Sequence, residues 1–310
     1  MNKKPIIVGL SHVGTYFSHI NYTVSSMYHL CDFIVVINGG YDIYNPCKGD
    51  NILLERDAFL LKEIDIDNKV RQFRAAWKGV NNIKKGKSEA GRDRNMSMAV
   101  QAAFKLGADW VLKVDSDEIL HHNINRKDLE NLVSISQNGK YGFRFSMQEL
   151  WGTYKTYQSL PDWAEGDDHN YPSSNDAPQF YKPCLTDWYI GGSPVVSSSI
   201  KQYQKLFSYH VRSVPPTDVD PFEYFVRRYW YHKYIPRQAQ AVREGQEFNI
   251  DFDVFMEECK KSAEQSVKII NSGKLLSIDP NAADPRIPKE SPLVVEMGCK
   301  NYIKMMKNNS

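Results

Sequence analysis

The sequence predicts an α/β protein, with a mostly parallel central sheet flanked by helices and a helical extension at the C-terminal end. Three observations carry this. Short β-branched apolar runs alternate with helical segments from residue 6 to 120. A strongly periodic helical segment leads directly into an apolar strand at 110–114. Two long helical segments then close the chain.

Taken in order, Ile6–Leu10 is an apolar run suited to a buried parallel strand. Helical potential follows from about Ser18 to Leu30, and a second apolar run, Phe33–Ile37, ends in the turn signal Asn38-Gly39-Gly40. These form one βαβ unit. Residues 51–63 look helical, whereas 65–87 is charged and carries no clear pattern. Between Glu89 and Leu106, the residues Met96, Ala99, Val100, Ala103 and Leu106 recur at helical spacing, and Gly107 is a plausible stop. Trp110–Val114 then reads as a central strand running into Asp115-Ser116-Asp117-Glu118.

Beyond it the pattern turns more mixed or antiparallel, with strands expected at 141–150, 177–182 and 207–211. A long loop rich in Pro, Asp, Asn and Ser spans 161–176; loops of that length are more often functional than idle. One closing helix starts at Asp220-Pro221-Phe222-Glu223, with Asp as cap and Pro in the first turn. The other carries Phe252, Phe255, Met256, Cys259, Ala263, Val267 and Ile270 on one face. A catalytic domain over 1–215 and a helical extension over 216–310 are the expected units.

Composition narrows the function classes. The 310 residues carry 39 Lys and Arg against 37 Asp and Glu, a net charge of +2, so coating nucleic acid is not the expected role. Five cysteines are scattered without any Cys-x-x-Cys pair, which indicates neither a disulfide framework nor a zinc knuckle. No apolar stretch approaches the roughly 18 residues of a membrane span, and the N-terminal run is too short for a signal peptide. A soluble, cytoplasmic protein is expected, with peripheral attachment at a membrane surface left open.

Asp115 and Asp117 stand where an apolar strand leaves the sheet, the place where open α/β sheets bind ligands. Two carboxylates one residue apart can hold a hard divalent cation through oxygen. Such a cation neutralises a diphosphate and stabilises it as a leaving group. A solvated turn is the plain alternative. Arg92 and Arg94, at the start of the preceding helix, could meet phosphate with forked hydrogen bonds or pair with neighbouring aspartates.

The block Glu89–Leu120 resembles the core signature of family 2 glycosyltransferases, which have the GT-A fold. Arg94-Asn95 opens the helix, Gly107-Ala108-Asp109 closes it, and the strand delivers Asp115-Ser116-Asp117 in matching order and spacing. The resemblance spans about Pro5–Val211. It implies a GT-A-like fold, a nucleotide-diphosphate sugar donor, an Mn²⁺ or Mg²⁺ ion, and sugar transfer to an acceptor hydroxyl, with inversion. Gly9, Leu10 and Ser11 would approach the nucleotide, as would Asn38, which replaces an acidic residue that usually contacts the base. His210 would complete the metal shell beside Asp115 and Asp117, imidazole being better matched to Mn²⁺ than to Mg²⁺.

The resemblance also implies a carboxylate general base downstream. Glu149, Asp167, Asp168 and Asp187 are candidates; Asp187 is preferred, in a segment with Trp188 and a glycine pair, with Asp168 as the alternative. A glycan or lipid-linked acceptor is expected; the basic run Lys84–Lys87 and the aromatic, basic segment Phe222–Tyr234 could meet a lipid-linked or anionic one, and could equally be ordinary surface. His121 and His122 are expected in a surface turn. Two rivals stand beside the transferase: a sugar nucleotidyltransferase, whose glycine-rich opening loop is missing here, and an inactive relative that binds glycan or protein.

Overall fold

In the computed structural model the described residues are 4–13, 19–38, 58–74, 91–157, 177–184, 188–190, 193–195, 199–217, 219–244, 251–282 and 288–308. The βαβ unit forms as expected: β1 (Ile7–Val13), α1 (Ile20–Met27) and β2 (Phe33–Asn38), with β1 and β2 parallel. A third parallel strand, β3 (Val70–Arg74), pairs outside β2. Its Val-Arg-Gln-Phe-Arg sequence gave no strand signal because it lies at the sheet edge, where charged side chains discourage further pairing.

Helix α2 (Gly91–Lys105) ends just before Gly107, whose φ of +82° suits glycine, and β4 (Trp110–Lys113) returns beside β1 in parallel. The Asp109 carboxylate accepts the Ile6 N–H at 2.8 Å and fixes the start of that pairing.

The second half of the sheet is mixed. A short strand, β5 (Glu118–Leu120), precedes α3 (Arg126–Ile135) and the long β6 (Tyr141–Trp151). Strand β7 (Thr156–Tyr157) follows, then β8 (Gln179–Tyr181), the small hairpin of β9 (Trp188–Ile190) and β10 (Ser193–Val195), and β11 (Ser199–Ser213). The eight-stranded order is β3-β2-β1-β4-β8-β6-β11-β5. Four of its seven pairings are parallel. Strand β11 is longer than its apolar stretch because it follows β6 along most of its length, with a register shift between Tyr203 and Phe207.

Both faces of the sheet are covered. Val8, Leu10, Val35, Ile37 and Val111 pack against Met96, Ala99, Val100 and Ala103 of α2. The alternate residues Ile7, Ile34, Val36, Trp110 and Leu112 pack with Ile20, Val24 and Met27 of α1 and with Leu129 and Leu132 of α3. This alternation is the period of a strand buried on both sides.

Helices α4 (Pro221–Arg243) and α5 (Phe252–Asn271) pair through Tyr224, Phe225, Trp230, Phe255, Cys259 and Ala263. The chain then adds β12 (Leu276–Ser277), antiparallel to β7, and two short helices that the sequence pattern did not reveal, α6 (Leu293–Met297) and α7 (Cys299–Asn308). Gly298, at φ +75°, separates them. Tyr302 and Met306 pack with Ile119, Leu150 and Tyr209, and Ile303 joins the α1 side of the main core. Helix α7 therefore lies against α1.

Gly142 tests the packing at the middle of the sheet. A Cβ there would meet Ile200 Cδ1 at 2.6 Å and Tyr181 Cβ at 2.8 Å. We expect Gly142→Ala to cost about 1–3 kcal/mol through overpacking, read as a lower urea midpoint at unchanged slope.

Candidate active site

The parallel strands β1 and β4 lie side by side while the chain leaves them in opposite directions, from β1 to β2 on one side and from β4 to β5 at the far edge on the other. Their carboxyl ends thus flank the point where strand order reverses, and Asp115-Ser116-Asp117 begins there. The turn is closed on itself. The Asp115 N–H donates to Glu118 Oε2 at 2.8 Å, and the Glu118 N–H donates to Asp115 O at 3.0 Å.

Two elements hold this turn from outside. On α1, Thr23 Oγ1 donates to Glu118 O at 2.7 Å, Ser26 Oγ accepts the Leu120 N–H at 3.0 Å, and the His19 N–H donates to Ser116 O at 3.1 Å. Thr23 and Ser26 are buried for this purpose, which is why α1 presents hydroxyls as well as apolar groups to the core. From the opposite side the Val211 N–H of β11 donates to Asp117 O at 2.8 Å.

The charges are arranged unevenly. Lys113, at the end of β4, is fully buried, and its Nζ lies 2.8 Å from Asp115 Oδ2. Glu118 is also fully buried. Burial holds its carboxyl well above the ordinary glutamate value; the Lys113 ammonium pulls the other way, while Asp115 and Asp117 add to the rise. Asp117 keeps 15% of its side chain exposed and faces the histidine that sequence reasoning singled out. His210 Nε2 lies 3.7 Å from Asp117 Oδ2, and His210 Nδ1 lies 3.7 Å from Glu149 Oε1. Sheet register explains the meeting, since His210 on β11 pairs with Glu118 of β5 on one side and Glu149 of β6 on the other. The imidazole is buried, and its Nδ1 has no hydrogen-bond partner.

This geometry can hold a cation at one place. Asp117 Oδ2 and His210 Nε2 are a carboxylate oxygen and an imidazole nitrogen facing each other, a donor set that suits Mn²⁺. Glu149 stands behind the other ring nitrogen, where carboxylates commonly orient metal-bound histidines. Asp115 has one oxygen engaged by Lys113. The role of Glu149 beside His210, and that of Lys113, were not apparent from the sequence. A lysine inside the apolar run Trp110–Val114 was the signal for the latter.

The other expected site residues divide into two groups. Gly9, Leu10 and Ser11 lie on β1 and are buried. Gly9 has a packing reason, because a Cβ would meet Cys31 Sγ at 3.2 Å and Met27 Sδ at 3.3 Å. Asn38 ends β2 in register with Val13, and Arg92 and Arg94 belong to the first turn of α2. The preferred and alternative bases, Asp187 and Asp168, lie outside the described residues, as do Asp167, the loop 161–176 and the basic run Lys84–Lys87. His121 and His122 stand at a turn, as expected, but their rings are half-buried, stacked on one another and beside Glu290.

No protein-family model matches this sequence, and no curated protein matches it. Among solved structures, it is similar to glucosyl-3-phosphoglycerate synthase from Mycobacterium tuberculosis in complex with Mg²⁺ and uridine diphosphate. That match is 10% identical, covers 79% of this chain and 81% of that one, and has a TM-score of 0.34. A complex of the same synthase with Mn²⁺, UDP-glucose and phosphoglyceric acid matches at 14% identity over 46% of this chain and 44% of that one, less than half its length, with a TM-score of 0.27. HddC from Yersinia pseudotuberculosis complexed with GMP-PN is 9% identical, covers 67% and 94%, and has a TM-score of 0.33.

Removing the buried ammonium is a direct test of the charge arrangement. Lys113→Met should cost about 3–5 kcal/mol, because it removes one partner of a buried ion pair, measured by urea unfolding. Glu118 supplies a pH test. The folded state keeps its proton at pH values where the unfolded chain has released it. Stability therefore falls as pH rises from the ordinary glutamate range, about 4.3, through the raised folded value. In chelator, Glu118→Gln should flatten that fall.

Proposed function

We propose that this protein is a metal-dependent glycosyltransferase of GT-A type, moving a hexose or related sugar from a nucleotide diphosphate to an acceptor hydroxyl with inversion. The observation that carries the reading is the approach of Asp117 Oδ2 to His210 Nε2 at 3.7 Å, at the carboxyl edge of the parallel strands. The resemblance of Glu89–Leu120 to the core signature of family 2 glycosyltransferases suggests the chemical class. Donor and metal sites then coincide where the fold reverses strand order.

In this reading Asp117 and His210 ligate Mn²⁺ or Mg²⁺, and Asp115 contributes its second oxygen to the cation or to the donor. When bound, the cation offsets the charge that develops on the departing diphosphate. Glu149 orients the His210 ring by facing Nδ1, so that Nε2 keeps its lone pair toward the site. Lys113 balances Asp115, which prevents two adjacent carboxylates from repelling one another before ligand arrives. Arg92 and Arg94 at the start of α2 take phosphate oxygens, and Asn38 at the end of β2 lines the nucleoside, while Gly9, Leu10 and Ser11, buried inside β1, back that site without touching the ligand.

Asp187, or Asp168 in its place, accepts the proton of the acceptor hydroxyl as that oxygen attacks the anomeric carbon. The acceptor is a glycan or a lipid-linked saccharide. Among the described residues no helix is long and apolar enough to cross a membrane. We place the enzyme in the cytoplasm, working on soluble or surface-presented acceptor.

Release of free nucleoside diphosphate from a panel of nucleotide sugars in Mn²⁺ tests the reaction. Transfer activity should appear with at least one donor and be abolished by chelator. Asp117→Asn should lower the rate by about a hundredfold or more, with the unliganded melting temperature unchanged. His210→Ala should weaken Mn²⁺ binding by about 10–100-fold, and Glu149→Gln by about tenfold, both by calorimetry. An Asp117→Asn protein that transfers sugar at the parental rate would overturn the assignment. Release of pyrophosphate in place of nucleoside diphosphate would replace it with nucleotidyl transfer.

A further inference from the structure

Two histidines adjacent in sequence normally point to opposite faces of a strand. His121 and His122 do not, because β5 ends at Leu120 and the chain turns immediately afterwards. Their rings stack at a centroid distance of 4.5 Å and an interplanar angle of 21°, and Tyr209 stacks on the far side of His121 at 5.5 Å. Both edges face one carboxylate from a distant part of the chain. Glu290 Oε1 lies 2.8 Å from His121 Nε2, and Glu290 Oε2 lies 3.8 Å from His122 Nε2. One ligand atom from each residue lies within 4.8 Å of the other two.

We infer that His121, His122 and Glu290 form a second divalent-cation site, suited to Zn²⁺, that clasps the C-terminal segment to the end of β5. Two imidazoles and one carboxylate are a familiar zinc donor set, and they leave a fourth, tetrahedral position for water. The 3.8 Å separation at His122 exceeds hydrogen-bond reach, and His122 Nδ1 is buried without a hydrogen-bond partner. In the cation-bound state the His122 proton would sit on Nδ1, and the Nε2 lone pair and the Glu290 oxygen would converge on the cation.

His121 Nδ1 accepts the Asn123 N–H at 3.2 Å, so in the metal-free state Nε2 carries the proton given to Glu290. Cation entry transfers this proton to Nδ1 and gives up the Asn123 bond; the proton count is unchanged. Tyr209 already holds the His121 ring in place, which lowers the entropic cost of ordering the ligands. Glu290 lies three residues before α6, which with α7 packs on Ile119, Leu150 and Tyr209. The ion therefore joins the two segments whose contact closes this end of the molecule.

The test uses full-length protein, freed of metal and of any affinity tag, titrated with Zn²⁺ against a chromogenic chelator. To separate this site from the one proposed for catalysis, the titration is run on the Asp117→Asn/His210→Ala protein. One equivalent should bind there and raise the melting temperature. Glu290→Gln and His122→Gln should each weaken that binding about tenfold or more. On the parental chain the same two substitutions should remove one equivalent and leave the Mn²⁺-dependent site filled. Failure of Zn²⁺ to bind the Asp117→Asn/His210→Ala protein, or affinity unmoved by both substitutions, would overturn the clasp and leave the reading of the Asp117 site standing. Circular dichroism before titration establishes that each variant is folded.

Discussion

Lys113 carries an ammonium group at a position with no exposed surface, at the end of the strand beside which β1 and β8 are both laid. A buried charge is tolerated only with a partner close by, so the chain leaving β4 must turn at once and present a carboxylate. Asp115 does this at 2.8 Å, and Glu118 completes the turn by accepting the Asp115 N–H. Three ionisable groups within six residues of backbone thus fix the path of the loop, and with it the place where Asp117 emerges toward solvent. The arrangement favours geometry over stability, because replacing the whole ion pair by apolar residues would pack more cheaply. In the proposed site it would hold the turn in shape before ligand arrives.

The surrounding elements serve that loop. Helix α1 contributes Thr23 and Ser26 hydroxyls to its backbone, and β11 contributes the Val211 N–H to Asp117 O. The carbonyls and amides of the turn therefore have partners on both sides, and a loop so tied has little freedom to move on binding. Because β11 both braces the turn and carries His210 one residue earlier, the distance between Asp117 and His210 is set by sheet register rather than by loop conformation. A site placed on strands is more exactly held than one placed on loops.

The C-terminal segment has a comparable part at the other end of β5. Tyr302, Ile303 and Met306 fill space against α1, β5 and β11, so the helix formed last in sequence shields the elements that hold the acidic turn. Lys300 and Lys307 add surface pairs to Glu63 and Asp67 at 2.8 and 2.7 Å. Pairs this exposed contribute little by themselves; the apolar contacts carry the docking.

By itself the sequence determined the α/β class, the βαβ opening, helix α2 with its stop at Gly107, and the acidic turn after β4, because each rests on local periodicity or on punctuation within a few residues. It also singled out His210. What it could not determine was whatever depends on partners distant along the chain. Strand β3 carries an edge composition that only its neighbour makes into a strand. Helices α6 and α7 are too short to signal their docking. Glu149 meets His210, and Glu290 meets His121 and His122, only through sheet register and a returning segment. Lys113 was visible as a charge in an apolar run, but its burial, and so its control over the turn, was decided by the strands laid on either side of it. A side chain's type is written locally, whereas its solvation and its partners belong to the assembled sheet.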